Sequence, residues 1–259
     1  MQARTEVTPT TATRSALHFA RFEFKYILPA AKRQAVENEL RYFLQFDPFV
    51  EDRPQHLYPV RSLYYDDPLY TAFQDKVDGL HSRSKFRLRT YATSADESAP
   101  IFLEIKGRHN NLVFKNRTPV ERTGIDWSAQ HGDELAQTIL RQASEDPTLE
   151  RFKFELIRKR LKPVALIDYL RRPYVSKYDS TFRLTFDERL EARNTDYIFP
   201  DNRKGPSKVL AGYTVLEVKF RHHLPSWFHR IIQSHEMRRV SVSKICKGME
   251  VLGLAFDDG

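Results

Sequence analysis

Five short stretches of this chain share one pattern. "RFEFKY" (21–26), "KFRLRTY" (85–91), "FLEIKGR" (102–108), "FRLTFDE" (182–188) and "VLEVKFR" (215–221) each alternate apolar with charged residues. A period of two marks a β-strand, whose successive side chains point to opposite faces. In "FLEIKGR", Leu103, Ile105 and Gly107 fall on one face, and Glu104, Lys106 and Arg108 on the other. The pattern predicts strands over 19–27, 58–65, 84–91, 100–106, 111–120, 163–171, 181–190 and 213–221. Between them lie helical periods. "PAAKRQAVENELRYFLQF", opening at Pro29, sets Val36, Leu40, Phe43 and Leu44 on one face. "DDPLYTAFQDKVDG" reads as a capped short helix closing at Gly79. Two helices fill 128–161 around Asp146-Pro147, one starts near Pro225, and the last opens near Ser243. About eight strands and five or six helices, with strands dominating the centre, predict an antiparallel α+β fold. One domain is expected over 19–259, after a Thr-rich tail, 1–18, expected to be disordered.

The charged strand faces carry the chemistry. Their bases are Arg21, Lys25, Lys85, Arg87, Arg89, Lys106, Arg108, Arg183, Lys219 and Arg221; their acids are Glu23, Glu104, Asp187 and Glu217. A water-washed face explains any one such strand. Repetition points elsewhere, because a solvated face would also hold Ser, Thr, Asn and Gln, which are scarce here. Closing the sheet into a barrel would turn the charges inward and leave the apolar face to be covered by helices. A lumen crowded with cations repels itself when empty, and a threaded polyanion relieves that cost. Arginine suits such a lumen because its planar fork pairs bidentately with phosphate oxygens. The few carboxylates suit Mg²⁺ or Mn²⁺, hard ions that accompany phosphate chains.

Bulk composition narrows the classes. The 259 residues carry 42 Lys and Arg against 34 Asp and Glu, a net charge of +8 that favours an anionic partner without resembling a basic tail. Cys246 is the sole cysteine, so no internal disulfide forms. No apolar run reaches the roughly 18–20 residues that span a bilayer, and the N-terminus lacks the apolar stretch of a secretory signal, so a cytoplasmic protein is expected. No glycine-rich phosphate loop is present. Asp66-Asp67 before a proline reads as capping chemistry, and the histidines lack a zinc spacing. Cys246, Trp227 and Phe228 read as packing residues, and Asp168 as facing the lumen or pairing with Arg171. The strand aromatics read as lying opposite the basic positions, so nucleic acid is not expected as a partner.

"EFKY", "SLYYDD", "KFRLR", "FLEIKGR", "RRPY", "FRLTFDERL", "VLEVKF" and "SKICKG" occur in the order seen in the polyphosphate polymerase domain of the VTC family. The chain resembles that family over roughly residues 19–253. The family belongs to the triphosphate tunnel metalloenzymes, with the CYTH-type triphosphatases and adenylyl cyclases. The resemblance implies an eight-stranded antiparallel β-barrel tunnel braced by helices. It implies phosphate contacts from Lys25, Arg87, Arg89, Lys106, Lys115, Arg172, Arg183, Lys219, Ser243 and Lys244, with Arg117 a weaker match. It implies metal carboxylates at Glu217, Glu104 and Glu23, and a catalytic set of Arg87, Arg89, Lys106 and Glu217. The wider superfamily usually carries a further Glu where this chain has Arg21, which sets it apart from the CYTH triphosphatases.

The activity these residues imply is transfer of the ATP γ-phosphoryl group to a polyphosphate chain, with Mn²⁺ or Mg²⁺. A tripolyphosphatase or NTPase would use the same tunnel with water as acceptor. A non-catalytic module binding polyphosphate or nucleotides is the third reading. Eukaryotic relatives act in membrane complexes; here any membrane coupling is expected to need a separate membrane-protein partner.

Overall fold

The computed structural model describes residues 22–109, 112–201 and 205–256. The tail expected over 1–18 and the position of Arg21 lie outside the described residues. The chain runs β1 (Phe22–Pro29), α1 (Ala30–Leu40), β2 (Leu44–Phe46), β3 (Tyr58–Asp66), α2 (Thr71–Val77), β4 (Ser82–Thr90), β5 (Ile101–His109) and β6 (Leu112–Val120). It continues through α3 (Gly132–Gln142), α4 (Pro147–Lys159), β7 (Lys162–Ser176), β8 (Arg183–Arg193), β9 (Ser207–Lys208), β10 (Tyr213–Phe220), α5 (Ser226–Ser234) and α6 (Lys244–Val251). Phe43 and Leu44, expected on the first helix, lie beyond it, and Leu44 opens β2 against β7. Asp66 and Asp67 accept the backbone N–H groups of Ala72, Phe73, Leu69 and Thr71, which is the capping predicted for them.

All strands pair antiparallel in one sheet of order β1-β10-β8-β7-β3-β4-β5-β6, with β2 added to β7 and β9 to β8. The sheet curls into a tunnel. Among the described residues, no backbone pairing joins β1 to β6; the seam is bridged by a side chain, Lys106 Nζ of β5 lying 3.1 and 3.2 Å from the carboxylate of Glu23 on β1.

The apolar half of each strand alternation packs outward under helices. Leu63, Phe86, Leu88, Leu103 and Ile105 form one core with Leu135, Ile139, Leu149 and Phe152 of α3 and α4. Tyr26, Leu28, Leu184, Phe186, Leu216 and Val218 form a second with Val36 and Leu40 of α1 and Phe228 and Ile231 of α5. Burial of each such side chain contributes about 1.5–3 kcal/mol. A third core departs from the sequence expectation. Tyr64, Ala165, Ile167 and Ala192, whose register places them on the concave side, pack with Ile245, Cys246 and Met249 of α6. Gly248 permits this approach, since a Cβ there would sit 2.4 Å from Ile167 Cδ1. Part of the concave face is therefore apolar, and α6 enters the tunnel beside β7 and β8. Among the described residues, no helix is long and apolar enough to cross a membrane.

Candidate active site in the tunnel

Two charged walls face each other across the lumen. The first grows from β4, whose alternation sends Phe86 and Leu88 into the outer core and Lys85, Arg87 and Arg89 inward. Arg87 lies in register with Glu104 of β5. Glu104 is fully buried at 0 % exposure. Its Oε2 accepts from Arg87 Nε at 2.9 Å and Nη2 at 2.6 Å, with Arg89 Nη1 at 3.8 Å. Lys115 Nζ of β6 lies 2.5 Å from Oε1. Burial alone would raise this carboxyl, but Arg87, Arg89 and Lys115 hold it down at about 2. Two phenols complete the wall. Arg87 Nη1 donates to Tyr64 Oη at 2.8 Å; Arg89 donates from Nε to Ser62 Oγ at 3.1 Å and from Nη2 to Tyr169 Oη at 3.4 Å. Burial would push Tyr64 up, yet the guanidiniums of Arg87 and Arg89 bring it down to about 8.

The second wall is built by β1, β10, β8, β7 and the start of α6. Lys25 stands in register with Glu217, and Glu23 with Lys219. Glu217 Oε1 lies 2.6 Å from Lys219 Nζ, and Oε2 lies 3.9 Å from Lys244 Nζ. Lys244 also reaches Asp187 Oδ2 at 2.6 Å, and Asp187 accepts a bidentate pair from Arg171 at 2.6 and 2.7 Å. Lys25 lies 3.2 Å from Glu23 and donates to the Val242 carbonyl at 3.2 Å. Burial opposes ionisation of Glu217, but Lys219, Lys25, Lys244 and Arg171 hold its carboxyl well below the ordinary range. Glu23, despite burial and the repulsion of Glu217, is drawn to about 2 by Lys106, Lys25 and Lys219. Burial lowers Lys106 and Lys115 to about 8, with Glu23 and Glu104 respectively resisting.

The structure thus brings together Glu23, Lys25, Arg87, Arg89, Glu104, Lys106, Lys115, Glu217, Lys219 and Lys244. Ser243 joins them, its hydroxyl accepting from Lys85 Nζ at 2.9 Å. Arg183 lies on the same face at the strand end, in register with Lys219, and is exposed. Arg172 does not join them. It projects to the outer side, donating to Glu37 of α1 at 3.1 Å and to the Gln55 carbonyl at 3.3 Å; the neighbouring Arg171 occupies the lumen instead. Asp168 likewise pairs with Arg61, at 2.9 and 2.8 Å, and not with Arg171. Trp227 stacks on Phe43 at 4.5 Å and Phe228 is buried, both as packing residues, and Cys246 is buried.

Asp187 and Lys85 stand on the charged strand positions that alternation marked, although the family motifs did not single them out. Tyr64 and Tyr169 carried no signal, because tyrosine in a strand reads equally as core. They also correct the reading that strand aromatics lie only opposite the basic positions.

A search against curated proteins found no match. Among solved structures, the chain is similar to a candidate adenylate cyclase from Bacillus halodurans, with TM-score 0.51 and 10 % identity, over 86 % of this chain and 95 % of that one. A protein from Pyrococcus horikoshii OT3 aligns with TM-score 0.45 and 12 % identity over 89 % and 98 % of the two chains. A candidate adenylyl cyclase from Hippeastrum with a dominant triphosphatase activity aligns with TM-score 0.44 and 12 % identity over 88 % and 94 %. The first of these supports the fold alone. The VTC domain model matches residues 20–253, nearly the whole described chain, and the protein therefore belongs to the VTC domain family.

Proposed function

We propose that the protein is a metal-dependent polyphosphate polymerase, moving the γ-phosphoryl group of ATP to the end of a polyphosphate chain in the tunnel. One observation carries the reading. Nine cations (Lys25, Lys85, Arg87, Arg89, Lys106, Lys115, Arg171, Lys219 and Lys244) line one enclosed lumen against four carboxylates (Glu23, Glu104, Asp187 and Glu217). The surplus positive charge matches a polyanion, and membership of the VTC family points to polyphosphate.

The donor set fits a hard divalent ion. Glu217 and Glu23 stand on paired strands as ionised oxygen donors, and ionised ligands are what a metal requires. Among the described residues no three His, Cys, Asp or Glu side chains cluster into a metal cage. That agrees with Mg²⁺ or Mn²⁺ carried on one or two carboxylates plus substrate phosphates. Such an ion would neutralise charge on the transferring phosphoryl group. Glu104 is enclosed by Arg87, Arg89 and Lys115 and serves them as a counter-ion.

The chain's own residues do the positioning. Arg87 and Arg89, oriented by Glu104, Ser62 and the phenols, grip phosphate oxygens at fixed spacing. Lys25, Lys106, Lys115, Lys219 and Lys244, with Arg171, neutralise the chain and hold the acceptor end in line with the γ-phosphate. The test is incubation with ATP and Mn²⁺ followed by a polyphosphate-staining gel. A ladder of long chains is the expected product. ADP and inorganic phosphate alone would establish water as acceptor and a triphosphatase; binding without turnover would reduce the protein to a binding module.

A further inference from the structure

The two ends of the lumen differ in chemistry. At one end the register stacks Lys85, Lys106 and Lys115 beside one another and sets Arg83 against Arg108, with no aromatic side chain at those five positions. At the other end, beyond Arg89, the concave face turns aromatic. Phe102 is the register partner of Arg89, and Tyr58 that of Arg171. Tyr91 follows the end of β4, on the alternation that carries Arg87 and Arg89.

These rings form one connected collar. Tyr58 and Tyr91 centroids lie 5.8 Å apart, and Tyr91 and Phe102 6.5 Å apart, both edge-on. Phe49 extends the collar to Tyr58 at 5.1 Å and is 51 % exposed. The Arg117 guanidinium stands 4.5 Å over Phe102. Tyr58, Tyr91 and Phe102 are only half-buried, Tyr58 and Tyr91 lying at the edge of the third core. A half-exposed aromatic cluster beside a phosphate grip offers π-faces and a cation to a planar base, and every base can stack.

We propose that Tyr58, Tyr91 and Phe102, with Phe49 and Arg117 at the rim, form a nucleobase subsite, resting on the reading above that a nucleoside triphosphate enters this tunnel. The base stacks in the collar, and the triphosphate runs inward past Arg89 to Arg87. The opposite end, where lysine and arginine fill those five positions, is left to phosphate.

The test compares a ligand with a base to one without. Calorimetric titration of the full chain in Mn²⁺ uses the β,γ-imido analogue of ATP and inorganic tripolyphosphate. Tyr91→Leu and Phe102→Leu are each expected to weaken the ATP analogue about 5- to 100-fold and leave tripolyphosphate within about two-fold. Tyr91→Phe, which keeps the ring, retains wild-type affinity. Equal loss of both ligands in variants with unchanged circular dichroism, or loss of neither, overturns the subsite. Should both variants fail to fold, the wild-type chain decides by itself: GTP and ATP analogues must bind alike and tighter than methyl triphosphate, and equal affinity for methyl triphosphate overturns it. If the wild-type chain binds tripolyphosphate but not the ATP analogue, the subsite falls and the anion tunnel stands. If it binds neither, the proposed function falls and takes the subsite with it.

Discussion

The wall made by β4, β5 and β6 and the wall made by β1, β10, β8 and β7 solve the same electrostatic problem differently. On the first, one fully buried carboxylate, Glu104, sits among Arg87, Arg89 and Lys115. On the second, Glu23, Asp187 and Glu217 interleave with Lys25, Lys219, Lys244 and Arg171. The first wall keeps its forks rigid, since every Arg87 nitrogen that bonds is fixed by Glu104 or Tyr64. Each wall holds three lysines, whose ammonium is a point charge on a flexible stem, but where the first has Arg87 and Arg89 the second sets its lysines beside one arginine, Arg171. Its carboxylates exceed what orienting one arginine requires. Under the proposed function the difference is a division of labour: one wall would shape the phosphate grip, and the other would couple charge neutralisation to an ion.

Breaking each wall at its carboxylate separates the two roles. Glu104→Gln leaves Arg87, Arg89 and Lys115 without their buried counter-ion, and is expected to destabilise the chain by about 3–5 kcal/mol. Tripolyphosphate should return much of that loss, because it supplies the missing anion; thermal melts with and without the ligand check this. Glu217→Gln leaves Lys219 near solvent and Lys244 still paired with Asp187, and should cost less stability. It is instead expected to abolish turnover and to raise the Mn²⁺ concentration needed for any residual activity. Arg87→Ala should also abolish turnover in a folded protein, without moving the metal requirement of what activity remains. Full activity in Arg87→Ala or Glu217→Gln would remove the site assignment.

A smaller effect sharpens the comparison at adjacent residues. Arg171→Ala removes the bidentate partner of buried Asp187, and turnover is expected to fall about 10²-fold, the scale of losing one preorganised charge donor. Arg172→Ala touches only the outer network of Glu37, where Arg33 and Tyr174 remain as partners. It should cost about 1–3 kcal/mol of stability and leave turnover unchanged, checked by melts and initial rates well below the melting temperature.

That pair also marks where the sequence stops being legible. Strand alternation alone separated Phe86 and Leu88 from Arg87 and Arg89, and Leu216 and Val218 from Glu217 and Lys219, because the period is strict and both faces are buried. It could not choose between Arg171 and Arg172. The register of β7 slips against β3 at Tyr64/Tyr65 and against β8 near Asp168/Leu170, where Arg189 takes a left-handed φ of 54°. A slip of one residue exchanges the faces. The place of α6 was hidden for a different reason. Its apolar stripe predicts burial but not which side of the sheet it buries against, and Gly248 gains its meaning only beside Ile167.

The smallest effect tests whether the walls await an anion. Burial lowers Lys106 and Lys115 to about 8, against an ordinary lysine near 10.5. Below pH 8 both are charged in the folded and unfolded chain alike. Between pH 8 and about 10.5 the unfolded chain holds the more protons, so stability rises with pH across that window. A bound polyanion favours the charged ammonium and lifts both groups back up. Tripolyphosphate binding at pH 9 should therefore take up protons, and its affinity should fall as pH rises from 8 to 10. Titrations in two buffers of different ionisation enthalpy would show the uptake directly. Lys106→Met and Lys115→Met should each remove part of it. Binding with no proton uptake at pH 9 would mean that these two lysines stay charged, and that the walls already balance each other, without a ligand.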